Sequence, residues 1–157
     1  MTGFVLDLAT LPAGRSRIVL DSDAVSLDLP AAEWPGLIRA EIDVEQSGEQ
    51  VTVRGQLLAS APLQCVRCLD RFELPLGTRL DVYAERAGRA RHPRDEDELE
   101  RDGYMLFHDG RRLDLTGAVR EALLLEIPMA PCCREDCRGL CGSCGANLND
   151  GPCGCAT

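Results

Sequence analysis

Leu37-Ile38-Arg39-Ala40-Glu41-Ile42-Asp43-Val44-Glu45 alternates apolar and polar from Ile38 onward, which places Ile38, Ala40, Ile42 and Val44 on one face. A strict period of two is the signature of a strand with one face buried and the other in water. Gln46-Ser47-Gly48-Glu49 supplies a hairpin-type turn, and Val51-Thr52-Val53-Arg54-Gly55-Gln56-Leu57 alternates again. This second strand is expected to continue through Leu58 to Ala61, with a twist or bulge near Gly55, and to end at Pro62. Arg71–Leu76 and Thr78–Ala84 follow as further strand material. Three or four consecutive strands joined by short turns make an antiparallel meander. The CxxC formed by Cys65 and Cys68 falls between two of them, at a sheet corner.

Residues 1–36 read as an irregular segment with short strands. Phe4–Leu8 and Arg17–Leu20 are candidates, and Val25-Ser26-Leu27-Asp28-Leu29 has the alternation of a half-buried strand. Residues 37–128 read as the β-rich core. Within it, residues 86–102 carry arginines and then a run of acids, the composition of a solvated loop. Tyr104–Phe107 and Arg111–Leu115 flank His108-Asp109-Gly110 and read as a second hairpin. Thr116 or Asp114 can cap a helix over about 116–127. Val119, Leu123 and Ile127 recur there at helical spacing, Ala122, Leu124 and Leu125 broaden the stripe, and Pro128 stops it. Residues 129–157 form a cysteine-rich tail. The expected fold class is α+β, mainly β: an antiparallel meander sheet or partial barrel, one amphipathic C-terminal helix and a zinc-binding tail.

The chain has 157 residues and a formal net charge of −9, with a pI of about 4.7. A non-specific nucleic-acid binder needs a basic face for phosphates, so this balance argues against one. Every basic side chain other than histidine is Arg. Residues 67–94 hold Arg67, Arg71, Arg79, Arg86, Arg89, Arg91 and Arg94 against Asp70, Glu73, Asp81 and Glu85, a local balance of +3. These arginines are the candidates for local RNA or partner contact, set against the plainer reading of solvated strand positions.

Seven of the nine cysteines lie between Cys132 and Cys155. The tail has few apolar residues besides cysteine and cannot bury enough surface to offset its ordering entropy. A covalent or coordinative link must hold it. Disulfides require an oxidising compartment. The N-terminus lacks a basic n-region and an uninterrupted apolar h-region, and no apolar run approaches the roughly 18 residues of a membrane span. The expectation is a cytoplasmic chain with no membrane association that uses its thiolates for metal, with an iron–sulfur cluster or redox thiols as the other readings. Cysteines two to four residues apart suit structural Zn2+, and Cys141-Gly-Ser-Cys144-Gly looks like a zinc knuckle.

Chelate logic pairs Cys141 and Cys144 with Cys153 and Cys155, and Cys133 and Cys137 with Cys65 and Cys68, leaving Cys132 spare. A ribbon using Cys65, Cys68, Cys141 and Cys144, or a single site from Cys133, Cys137, Cys141 and Cys144, stays open. One or two Zn2+ ions are expected, in closed structural sites. His92 and His108 lie in polar turn contexts and are not expected to be ligands. The sequence has no Gly-rich phosphate loop, no HExxH and no GxSxG, and Ser60 and Ser143 lack a visible His partner. A non-enzyme without a small-molecule substrate is expected. The alternative is a thiol-redox or metal-responsive protein working through its CxxC cysteines.

Several stretches resemble the YceD family of bacterial and plastid proteins. They are Cys65-Val-Arg-Cys68-Leu69, the Leu113-Asp114-Leu115 lead into the Glu121–Pro128 segment, and above all Cys133-x3-Cys137-Arg-Gly-Leu-Cys141-x2-Cys144-Gly-x-Asn147-Leu-Asn149 ending in Cys153-x-Cys155. Cys132 stands where that motif more often has an apolar residue. The resemblance implies a non-enzymatic role in synthesis, processing or stability of 23S ribosomal RNA, hence in large-subunit assembly. The partner it implies is a ribosomal protein or a pre-ribosomal large-subunit particle; the acidic net charge favours docking on a basic ribosomal protein, with rRNA contact confined to the arginines named above.

Overall fold

The computed structural model describes residues 3–88, 93–101, 103 and 105–155. Strands β2 (Gly14–Ser22), β3 (Ile38–Ser47), β4 (Gln50–Gln64) and β5 (Arg71–Arg86) pair antiparallel in chain order. The alternation read from the sequence becomes the two faces of this sheet. Ile38, Ala40, Ile42 and Val44 are each 1% exposed, and Val51, Val53, Leu57, Leu80, Val82 and Ala84 bury on the same side. The other side is a solvated, charge-alternating surface, with Arg15 and Arg17 on Asp43, Arg39 on Asp21 and Arg54 on Asp81. A side-chain hydrogen bond from Arg39 holds the Asp21 carboxyl below its usual range, and hydrogen bonds from Arg17 and Arg15 do the same for Asp43.

The expected bulge at Gly55 is absent. The register runs unbroken through Ile42↔Gly55 and Gly55↔Leu80. A Cβ at Gly55 would lie 2.0 Å from the Glu41 carbonyl oxygen, so close backbone approach accounts for the glycine. Nor does Pro62 end β4, which runs on to Gln64. The last β3 partner of β4 is Arg39↔Leu58, and beyond it β4 pairs with β5 alone. Pro62 and Pro75 therefore sit in a two-stranded arm, where a missing N–H on the open side breaks no ladder bond. Cys65–Asp70 is the tip of that arm.

Three further expectations change. Val25–Leu27 is a 3-10 turn, in which Asp23 Oδ1 accepts the Ser26 N–H at 3.0 Å. Leu27 and Leu29 still bury, so a period of two over five residues did not separate turn from strand. The acidic segment read as a loop contains helix α1 (Pro93–Arg101). Proline at the first helical position and acids in the first turns favour that start. The second hairpin does not form. β6 (Leu106–His108) pairs parallel with the end of β5, whereas β7 (Arg112–Asp114) pairs with β1 (Val5–Asp7) in a separate two-stranded sheet. Tyr104, part of that expectation, lies outside the described residues.

Asp109 Oδ1 accepts the N–H groups of Arg111 and Arg112 at 2.8 and 2.7 Å, turning the chain between the two sheets. His108 is 5% exposed rather than solvated, and its Nδ1 accepts the Gly110 N–H. That leaves Nε2–H to donate to the Glu49 carbonyl at 2.8 Å.

Helix α2 (Thr116–Glu126) begins where Asp114 Oδ1 accepts the Thr116 N–H and ends at Ile127, extended ahead of Pro128. Val119 and Leu123 are fully buried, but Leu124 and Leu125 are exposed, so the apolar stripe is narrower than expected. One core unites Phe4, Leu6, Leu27 and Trp34 with the sheet, Leu113, Leu115 and α2. The structure is mainly β with two sheets and few helices, and among the described residues the sheets do not close into a barrel. No described helix is long and apolar enough to cross a membrane.

Candidate metal centres

At the arm's tip the chain reverses tightly. Cys65 N–H donates to Asp70 O at 2.9 Å, Leu69 N–H donates to Cys65 O at 3.0 Å, and Leu69 takes a positive φ of 64°. This turn aims Cys65 and Cys68 to one side, where both are buried. The tail is laid against it by two backbone hydrogen bonds and one side-chain clamp. Val66 N–H donates to Pro131 O at 2.9 Å, and Leu140 N–H donates to Arg67 O at 3.2 Å. The Arg67 guanidinium donates to the carbonyls of Glu135 and Cys137, each at 3.2 Å. Gly139 is required twice over: its φ is 73°, and a Cβ there would meet Arg67 O at 3.0 Å.

The tail so placed brings Cys133 and Cys137 onto Cys65 and Cys68, with all four sulfurs within 4.8 Å of one another. Cys65 Sγ lies 3.8 Å from Cys137 Sγ, and Cys68 Sγ lies 3.7 Å from Cys133 Sγ. Four sulfurs about 2.3 Å from one central ion at tetrahedral corners stand about 3.8 Å apart. The second group is Cys141, Cys144, Cys153 and Cys155, again within 4.8 Å. It is built on a knuckle closed by Cys141 N–H to Ala146 O at 2.8 Å and Gly145 N–H to Cys141 O at 2.9 Å. It is the more open group, with Cys144 and Cys155 exposed. Cys132 packs half-buried beside the first group and belongs to neither.

The local fields differ from sulfur to sulfur. Amide hydrogen bonds, chiefly at Cys68 and then Cys133, lower the Cys65 thiol to about 5. The Asp70 amide lowers Cys68, but burial and the neighbouring sulfurs outweigh it and push that thiol up to about 12. Burial raises Cys133, whereas the Asn149 side-chain amide lowers Cys137. The amides of Cys144 and Ser143 lower Cys141 to about 6. Amide N–H groups aimed at sulfur stabilise the thiolate, the form that binds metal. The donor set is sulfur only, soft and preorganised, and each of the two four-cysteine groups can bind a metal ion.

The candidate arginines do not converge. Arg67 is committed to the tail clamp. Arg71 and Arg86 stand at opposite ends of the 16-residue β5, on the order of 50 Å apart along an extended strand. Arg79 lies between them on the solvated face, and Arg86 pairs with Glu49 at 3.5 Å. Arg89, Arg91 and His92 lie outside the described residues, and Arg94 is described only by its place in the first turn of α1. Asp70, Asn147 and Asn149, whose side chains bind the tail to the arm, carried no role in the sequence reading. The Asn147-Leu-Asn149 spacing was the available signal.

Fold and site together define a β-rich protein whose tail carries two cysteine clusters, one of them shared with the tip of the sheet's arm. A family model described as Large ribosomal RNA subunit accumulation protein YceD matches residues 53–157, which include both clusters. The chain belongs to the YceD family. An uncharacterized protein of Mycobacterium leprae is 33% identical over 125 residues, covering 79% of this chain and 55% of that protein. An uncharacterized protein of Mycobacterium tuberculosis is 33% identical over 132 residues, covering 82% of this chain and 59% of that protein. The chain thus spans somewhat more than half the length of these relatives. The Arabidopsis thaliana protein named Large ribosomal RNA subunit accumulation protein YCED homolog 1, chloroplastic, is 38% identical over 45 residues, 29% of this chain and 14% of that protein. No solved structure matches the chain.

Proposed function

We infer that this protein is a non-enzymatic factor in the synthesis, processing or stability of 23S ribosomal RNA, acting in large-subunit assembly in the cytoplasm. The observation that carries this reading is the family match over residues 53–157. One Zn2+ ion in each four-cysteine group would be structural, since four protein sulfurs leave no coordination position for water or substrate. The ion would supply the cross-link that the apolar-poor tail lacks. The partner is a ribosomal protein or a pre-ribosomal particle, and a chain of net charge −9 favours docking on a basic ribosomal protein. A thiol-redox role is disfavoured by the burial of Cys65 and Cys68, at 0% and 3% exposed, which closes the CxxC to a redox partner.

Deleting the gene should lower the ratio of 23S to 16S ribosomal RNA, and the tagged protein should sediment with large-subunit precursors. An unchanged ratio together with protein confined to the top of the gradient would sink the reading.

A further inference from the structure

The two cysteine groups are not independent. The loop between Cys144 and Cys153 is closed at both ends by the tail site, yet its polar side chains reach the site at the arm's tip. Asn147 Nδ2 donates to Asp70 Oδ2 at 2.8 Å, across 77 residues of sequence. Asn149 Nδ2 donates to Cys137 Sγ at 3.3 Å, and Asn149 Oδ1 accepts the Arg138 N–H at 2.8 Å. The pair is internally braced, because Asn147 Oδ1 accepts from both the backbone N–H and the side-chain amide of Asn149, at 3.0 and 2.9 Å. Leu148 N–H donates to Gly139 O at 2.9 Å, between the two groups. Each sulfur of a four-thiolate site shares in an excess of negative charge after a dication is bound. An N–H donor on one of those sulfurs therefore strengthens the whole site.

We propose that the two sites hold metal as a coupled pair. Metal at Cys141, Cys144, Cys153 and Cys155 fixes the 145–152 loop, which seats Asn149 on Cys137 and Asn147 on Asp70 and so slows metal loss from Cys65, Cys68, Cys133 and Cys137. The proposal rests on the metal-binding reading above. Its basis is entropic and electrostatic. Without the tail ion, residues 145–155 are a segment poor in apolar side chains, whose ordering must be offset each time Asn149 engages sulfur. With the ion in place, that ordering is already done. Linkage makes the effect reciprocal in equilibrium affinity, so emptying the arm site must weaken the tail site by the same factor.

The test uses the full chain loaded with Cd2+ and follows release to a chromophoric chelator, with bound metal counted before release. Wild type should hold two ions. C153S/C155S should hold one, at the arm site, and release it roughly 10–100-fold faster than wild type releases the same ion, with the affinity lost on removing an outer hydrogen-bond partner of a ligand falling on the release rate. Asn149→Ala leaves all eight ligands in place. It should still hold two ions and show the same acceleration for one of them. Asn149→Asp keeps the acceptor for Arg138 but puts a carboxylate against Cys137, and should release at least as fast as the alanine variant.

Arm-site release unchanged within twofold in both C153S/C155S and Asn149→Ala would overturn the coupling while leaving the metal reading intact. A wild-type chain that takes up no Cd2+ would overturn the metal reading and the coupling with it. If C153S/C155S is unfolded by circular dichroism, the two Asn149 variants decide: acceleration supports coupling, and wild-type release overturns it.

Discussion

Gly55 shows how much one residue can fix. It sits at the centre of the sheet, paired to Ile42 on one side and Leu80 on the other. A Cβ there would meet Glu41 O at 2.0 Å, Ile42 Cα at 2.7 Å and Glu41 C at 2.9 Å, all backbone atoms that cannot rotate away. Gly55→Ala must therefore push β3 from β4 and should cost about 1–3 kcal/mol, the range for overfilling a packed interior. Gly77→Ala is the control. Its Cβ would find only Leu58 Cδ2, at an ordinary 3.7 Å. Urea unfolding should show a lower midpoint for Gly55→Ala at unchanged slope and little change for Gly77→Ala. Equal midpoints for the two would mean the strands can separate freely at that point. Sequence marked Gly55 as special but supplied the wrong reason, because a bulge and a close backbone contact both select glycine.

At the scale of elements, legibility followed the length of the pattern. Strands β3, β4 and β5 carry long alternations and were visible from Ile38 to Ala84. Val25–Leu29 carries the same alternation over five residues, and there the Asp23 side chain captured the Ser26 amide and closed a turn instead. β6 and β7 looked like a hairpin because only a turn separates them. Their partners, β5 and β1, are distant in sequence, and nothing local encodes that choice. The cysteine tail was legible in kind because close thiol pairs are themselves the signal. The asparagines that brace it were not, because a polar loop residue has no pattern of its own. Helix α2 offers a test of packing against propensity. Leu123 is fully buried and Leu125 is 78% exposed, although they are two residues apart on the same helix. Leu123→Ala should cost about 2–5 kcal/mol, and Leu125→Ala should stay within about 0.5 kcal/mol. Thermal or urea unfolding of the pair checks this. Similar losses in both would mean that α2 packs by a different face.

For the molecule as a whole, the apolar core and the cysteine clusters are separate bodies of packing. The core runs from Phe4 to Leu123, whereas Cys65, Cys68 and Cys137 group only with Phe72, Cys132 and Cys133. What joins tail to sheet therefore responds to pH through thiol chemistry, and its sign follows from the arm site. Burial raises Cys133, and burial with neighbouring sulfurs carries Cys68 up to about 12, so the metal-free site holds at least two protons at neutral pH. A metal ion must displace both. Affinity at the arm site should rise with pH by at least two decades per unit between pH 6 and 8. As pH falls through about 5, Cys65 also takes a proton and the dependence steepens further. The measurement is Zn2+ competition against a chelator of known proton dependence, on C153S/C155S so that the arm site is read alone. A slope of one or less would mean that at least one of the Cys68 and Cys133 thiols is already ionised in the metal-free fold. Its burial would then be offset by donors other than the Asp70 amide.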